Sequence, residues 1–136
     1  MYNTILVPIE FSHVDSGINA IQIAKKLLNK DGKVILLSVV GEIPPYVDVE
    51  LPEDLMGTTL KMAHQTLTSI ANNEGIGLNV EVMSGHPANS ILSAAKTHGA
   101  DLIIIASHRP NLSDYFLGST AARVVRHAQC PVLVDR

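Results

Sequence analysis

A continuously apolar run, Ile103-Ile104-Ile105-Ala106, leads into the polar stretch Ser107-His108-Arg109-Pro110-Asn111 and, a few residues on, into Gly118-Ser119-Thr120. Read as strand, loop and helix start, this is an arrangement for holding an anion. The first turn of a helix leaves backbone N–H groups unpaired at the positive end of its dipole, which suits a phosphate. A glycine at 118 lets backbone come close to such a group, and the hydroxyls of Ser119 and Thr120 add donors. Arg109 supplies a fork of charged donors from the same loop. A plainer reading stands beside this one. In it Ser119 only caps the helix, Gly118 only makes a turn, and Arg109 is a solvated residue in a loop stiffened by Pro110.

Other reactive residue types give less. The six histidines, at 13, 64, 86, 98, 108 and 127, share no ligand spacing such as H-x3-H and read as surface or loop residues. The single cysteine, Cys130, excludes an internal disulfide, and its neighbours Gln129 and Pro131 bring no activating charge. It reads as a small hydrophobe at a helix end. There is no G-x4-G-K-[ST] segment, and no lysine follows Lys96. Phosphoryl transfer needs an oriented water and groups that stabilise the moving phosphoryl. His108 and Glu10 are available to orient water or Mg2+, but no spacing requires it. The expectation is a binding module in which hydrolysis is slow or absent.

The elements that must position these residues alternate. Strand-like runs occur at Thr4–Ile9, Lys33–Val40, Leu78–Met83, Leu102–Ala106 and Pro131–Val134. Between them lie helical spacings: Ala20, Ile23, Ala24 and Leu27; Ala88, Ile91, Leu92 and Ala95; Ala121, Val124, Val125 and Ala128. A longer helix is expected from about Glu53 to Asn73, with Leu60, Ala63, Leu67 and Ile70 on one face. Pro87 suits a first helical turn, where its missing N–H would be unpaired anyway.

Strict β-α alternation predicts a three-layer α/β sandwich, a five-stranded parallel sheet with helices on both faces. Ile5-Leu6-Val7 and Leu102–Ile105 are continuously apolar, as strands buried on both faces are. Leu78–Val82 alternates, and the last strand opens with Pro131, both habits of an edge. With right-handed crossovers the order becomes 3-2-1-4-5. The strand order then reverses between the first and fourth strands, and ligands of such sheets bind in the crevice at that point. One long irregular connection, Gly41–Pro52, holds three prolines and the acidic Glu42, Asp48 and Glu50, and reads as a flap.

At 136 residues, 46% hydrophobic and 17% charged, the chain reads as one globular domain spanning 1–136. The net charge of -3 argues against nucleic acid as a partner, because a phosphate backbone is usually met by a basic surface. No apolar run is long enough for a membrane span, and Met1-Tyr2-Asn3-Thr4 lacks the features of a signal peptide. A cytoplasmic protein is expected.

Several segments, in order, resemble the universal stress protein family: Ile5-Leu6-Val7-Pro8, a strand with Ser38-Val39 near its end, Gly85-His86-Pro87, the stretch 103–120, and Val125–Val134. The resemblance runs nearly the length of the chain. It implies the same five-stranded fold and, in one large branch, ATP binding through a G-x2-G-x9-G-[ST] motif. This sequence departs from that motif. Ala106 and Arg109 stand at the first two glycine positions, and eight residues separate Arg109 from Gly118. The terminal Gly118-Ser119 is present, and the form Ala106-Ser107-His108-Arg109-Pro110 is similar to the F/G-like subgroup, in which nucleotide binding is retained. Carried onto this sequence, the resemblance implies adenine near Pro8, Ile9 and the backbone of Val39, with ribose beside Glu10. The triphosphate, possible Mg2+ included, would run along Ala106, Ser107, His108 and Arg109 to Gly118, Ser119 and Thr120. It also implies a homodimer through Val132, Leu133 and Val134, and a role in stress survival. The alternative is a nucleotide-free dimeric regulatory protein of the same fold.

Overall fold

A computed structural model describes residues 1–41, 55–75, 79–107 and 117–136. The element order is β1 (Tyr2–Pro8), a 3-10 turn (Phe11–His13), α1 (Val14–Leu27), β2 (Leu28–Val40), α2 (Leu55–Glu74), β3 (Val80–Ser84), α3 (Pro87–His98), β4 (Leu102–Ala106), α4 (Ser119–His127) and β5 (Val132–Asp135). All strand pairings are parallel, and the sheet order is β3-β2-β1-β4-β5. This is the order expected from strand character. The flap segment falls, beyond Gly41, outside the described residues, as does Leu78 of the third expected strand.

Period-two alternation sorts the core into two layers. Ile5, Val7, Val34, Leu36, Leu102 and Ile104 face Ala20, Ile21 and Ala24 of α1 and Leu67 and Ala71 of α2. Leu6, Ile35, Leu37, Ile103 and Ile105 face Ala88, Ile91, Ala94 and Ala95 of α3 and Ala121 and Val124 of α4. Branched side chains on the sheet meet alanines on the helices, so the helices approach closely. Each fully buried leucine or isoleucine of this set contributes about 1.5–3 kcal/mol.

Some boundaries and faces differ from the sequence reading. β2 begins at Leu28 rather than Lys33, because Tyr2 pairs with Leu28 before the register jumps to Thr4 and Lys33. Residues 29–32 bulge out between those pairs, and Asn29 hydrogen-bonds Asn3 at 2.6 Å. The buried stripe of α1 is Gly17, Ala20, Ile21 and Ala24, with Ile23 and Leu27 packed at its margin. Glycine carries no hydrophobicity to reveal such a stripe. Val125, expected inside, is 46% exposed, since α4 turns only Ala121 and Val124 fully into the core. The last strand starts at Val132, and Pro131 supplies only its carbonyl, to Ile103 at 3.0 Å.

Asp101 fastens the far end of the sheet. Its carboxylate accepts the N–H groups of Asn3 at 2.8 Å and Thr4 at 3.0 Å, and its own N–H donates to the Thr4 carbonyl at 2.9 Å. Burial pushes its carboxyl upward, but the hydrogen bonds from Asn3, Thr4 and its own backbone, with the amino-terminal charge, hold it below the usual carboxylate range. Burial, with Asp101 nearby, pushes the Cys130 thiol up. That is the setting of an inert thiol.

Candidate functional site

β1 and β4 pair at Ile5–Leu102 and Leu6–Ile103, and there their pairing stops. On its other side β1 stays paired with β2 through Pro8–Leu37, and the Ile9 N–H extends that ladder to the Leu37 carbonyl at 2.7 Å. A crevice opens at the carboxyl ends of β1 and β4, where the strand order reverses. It encloses about 200 Å³. Pro8, Ile9 and Glu10 form one wall and Ile105 and Ala106 the other. Leu37, Val39 and Ile91 add apolar surface, and His13, Ser16, Gly17, Pro87 and Thr120 complete the lining.

Two glycines shape this end of the molecule. Gly17 lies so near Ile9 that a Cβ placed on it would stand 2.7 Å from the Ile9 δ-methyl and 3.3 Å from its γ-methyl. A Cβ at that position would make the Ile9 δ-methyl move, and hydrogen there lets α1 pack under the crevice wall with Ile9 in place. Gly85, between β3 and α3, has φ 133°, which a residue with a side chain rarely adopts. Its N–H donates to the Val40 carbonyl at 2.9 Å and sets where α3 begins.

The start of α4 settles part of the plainer reading. The N-cap is Gly118, not Ser119, and among the described residues no side chain caps the helix. Gly118 takes φ -58° and ψ 153°, extended backbone open to any residue, so no left-handed turn demands a glycine there. Its N–H is already taken, donating to Ser107 Oγ at 3.1 Å. Ser107 thus ties the end of β4 to the start of α4, and its own N–H donates to the Asp135 carbonyl at 2.8 Å. The first intrahelical bond runs from the Ala122 N–H to the Gly118 carbonyl at 2.8 Å. Among the described residues the N–H groups of Ser119, Thr120 and Ala121 meet no acceptor, as the first turn of a helix leaves them.

Of the residues expected at the site, Pro8, Ile9, Glu10, Val39, Ala106 and Thr120 line the crevice. Ser107 and Gly118 brace its rim, while Ser119 lines an adjoining groove rather than the crevice itself. His108 and Arg109 lie outside the described residues. Glu10 is exposed, and its carboxylate accepts the Ser12 hydroxyl at 3.0 Å. Sequence reasoning missed His13, Ser16 and Gly17. Their only signal was position, just after a strand whose carboxyl end borders the crevice. Among the described residues no group of three or more His, Cys, Asp or Glu is placed to hold a metal ion, and no helix is long and apolar enough to cross a membrane.

At about 200 Å³ the crevice is smaller than the roughly 300–1,000 Å³ that encloses a whole drug-sized ligand. It has room for part of such a ligand, and the start of α4 lies beside it.

The universal stress protein family matches this chain over residues 1–136. The chain is 32% identical to universal stress protein MJ0531 of Methanocaldococcus jannaschii, over 98% of this chain and 82% of that one. It is 30% identical to universal stress protein G of Escherichia coli O157:H7 over 100% of both chains. Among solved structures, hypothetical protein MJ0577 superposes with a TM-score of 0.80 at 30% identity, covering 99% of this chain and 96% of the other. Two more distant structures share the fold. One is a universal stress protein in complex with cAMP, at 21% identity, TM-score 0.62 and 99% and 97% coverage. The other is an Arabidopsis thaliana family member with AMP bound, at 18% identity, TM-score 0.63 and 98% and 90% coverage.

Proposed function

This chain belongs to the universal stress protein family, and from that premise we propose that it is a cytoplasmic ATP-binding or ATP-sensing module of the stress response, built as one nucleotide-binding domain. The observation that carries the reading is the crevice between Pro8–Glu10 and Ile105–Ala106, with the uncapped start of α4 beside it. Adenine sits between Pro8 and Val39, and the ribose lies toward Glu10. The phosphates meet the amides of Ser119 and Thr120, with His108 and Arg109 contributing from the loop before α4. Ser107 holds Gly118 so that those amides keep their place. ATP supplies a polyanion whose presence or absence the module reports, and Mg2+ accompanies the phosphates. Two proteins sharing this fold hold cAMP and AMP, which supports adenine as the base to try first.

The module pairs as a homodimer through β5. Among the described residues that strand is hydrogen-bonded to β4 on one side only, and its Val132, Leu133 and Val134 are each half-buried. An apolar edge of that kind is a liability unless a second copy covers it.

Titration calorimetry with ATP, GTP and Mg2+ tests the nucleotide reading. ATP is expected to bind and to be preferred over GTP. No heat with ATP at millimolar concentration would overturn it in favour of a nucleotide-free dimer.

A further inference from the structure

The charged side chains that α3 and α4 themselves carry are basic. Neither Pro87–His98 nor Ser119–His127 contains an aspartate or glutamate, whereas Lys96, Arg123 and Arg126 lie on them, in a chain of net charge -3. Ser119, Arg123, Arg126 and His127 follow i, i+4, i+7 and i+8, so they share one face of α4. With His86, Pro87 and Thr120 they line an open groove of about 540 Å³. Arg123 is oriented across it, its Nε donating to Asn89 Oδ1 of α3 at 3.2 Å, which leaves both terminal amino groups for a ligand. Among the described residues neither Arg123 nor Arg126 is in an ion pair. Farther along, His127 also borders the depression that holds Lys96 and Ser93.

The groove begins where the crevice ends, because Pro87 and Thr120 line both. We propose that this groove binds a linear phosphate chain, either the outer phosphates of a nucleotide seated in the crevice or free inorganic polyphosphate. For the first source the proposal rests on the nucleotide reading above; for the second it does not. Guanidinium groups match phosphate oxygens in a two-pronged fork, and two of them one helical turn apart can grip successive groups of a chain. Among the described residues neither helix offers Phe, Tyr or Trp, the strongest platforms on which the bases of a nucleic acid stack. A bare phosphate chain needs none.

Arg123→Gln/Arg126→Gln is compared with the wild type by calorimetry using inorganic tripolyphosphate, AMP and adenosine tetraphosphate at constant ionic strength. Lys26→Gln/Lys61→Gln, which removes equal charge from α1 and α2, serves as the control. The arginine variant is expected to weaken phosphate-chain binding at least tenfold and AMP binding less than twofold, while the lysine variant leaves both unchanged. Arginine-dependent binding of tripolyphosphate by itself identifies the free chain as a ligand. If only adenosine tetraphosphate gains affinity over AMP through the arginines, the chain must arrive on a nucleotide. Should neither nucleotide bind while tripolyphosphate still depends on the arginines, the nucleotide reading fails and the groove stands. Equal affinity for both phosphate chains in the wild type and the arginine variant, equal losses in the two variants, or no phosphate-chain binding by the wild type would overturn the proposal.

Discussion

Replacing Gly17 by alanine sets two effects of known sign against each other. Gly17 lies in the first turns of α1, where glycine destabilises a helix by about 0.5–1 kcal/mol relative to alanine. Against that gain, the new Cβ meets the Ile9 δ-methyl at 2.7 Å and the γ-methyl at 3.3 Å. The δ-methyl is the free end of a flexible side chain and can swing away, at about 0.5–1.5 kcal/mol for leaving its rotamer. Folding stability should therefore stay within about 1 kcal/mol of wild type by urea denaturation. Binding should not escape as lightly. Ile9 and Gly17 both line the crevice, so the displaced methyl takes space from the ligand. Losing contact worth roughly one methylene, about 0.8 kcal/mol, weakens ATP about fourfold in calorimetry. Adding Ile9→Val removes the clashing δ-methyl and should restore most of that affinity, a coupling that a double-mutant cycle measures directly. A stability loss above about 2 kcal/mol would show that Ile9 cannot move. Unchanged ATP affinity in the single variant would show that this wall does not touch the nucleotide.

Two further perturbations probe the edge and the far end of the sheet. Val132→Lys places a charge on β5 and should give monomers by light scattering, whereas an unchanged dimer rejects this edge as the interface. Asp101→Ala should cost about 1–2 kcal/mol at neutral pH, below the full value of charged hydrogen bonds because water reaches the site in part. The folded carboxyl titrates below its unfolded value of about 3.9, so the unfolded chain binds more protons in that range. Its contribution is complete above the unfolded value and fades as pH falls through the folded one. The gap between variant and wild type should narrow below about pH 4 in acid denaturation; a gap that stays constant from pH 7 to pH 3 contradicts the assignment.

Most of the architecture could be read from local pattern. Ile5-Leu6-Val7 and Leu102–Ile105 are apolar at every position because helices cover both faces of the strands they form, and that requirement placed them at the centre of the sheet. Alternation in Val80-Glu81-Val82 marked an edge for the same reason, seen from the solvent side. Once the order was fixed, the crevice position followed, while Pro8, Glu10 and Val39, which line it, were named from the resemblance to the family. What stayed hidden depended on distance through space. Gly17 is buried because Ile9 lies against it, a contact that no periodicity encodes. The resemblance runs a triphosphate past Ser107, and only the structure shows that its hydroxyl accepts the Gly118 N–H from across the intervening loop. The groove on α4 needed Arg123 to reach Asn89 on another helix. Pattern in a sequence reports which face of one element is apolar. The walls of a site come from elements far apart in the chain, and only their packing decides which side chains meet.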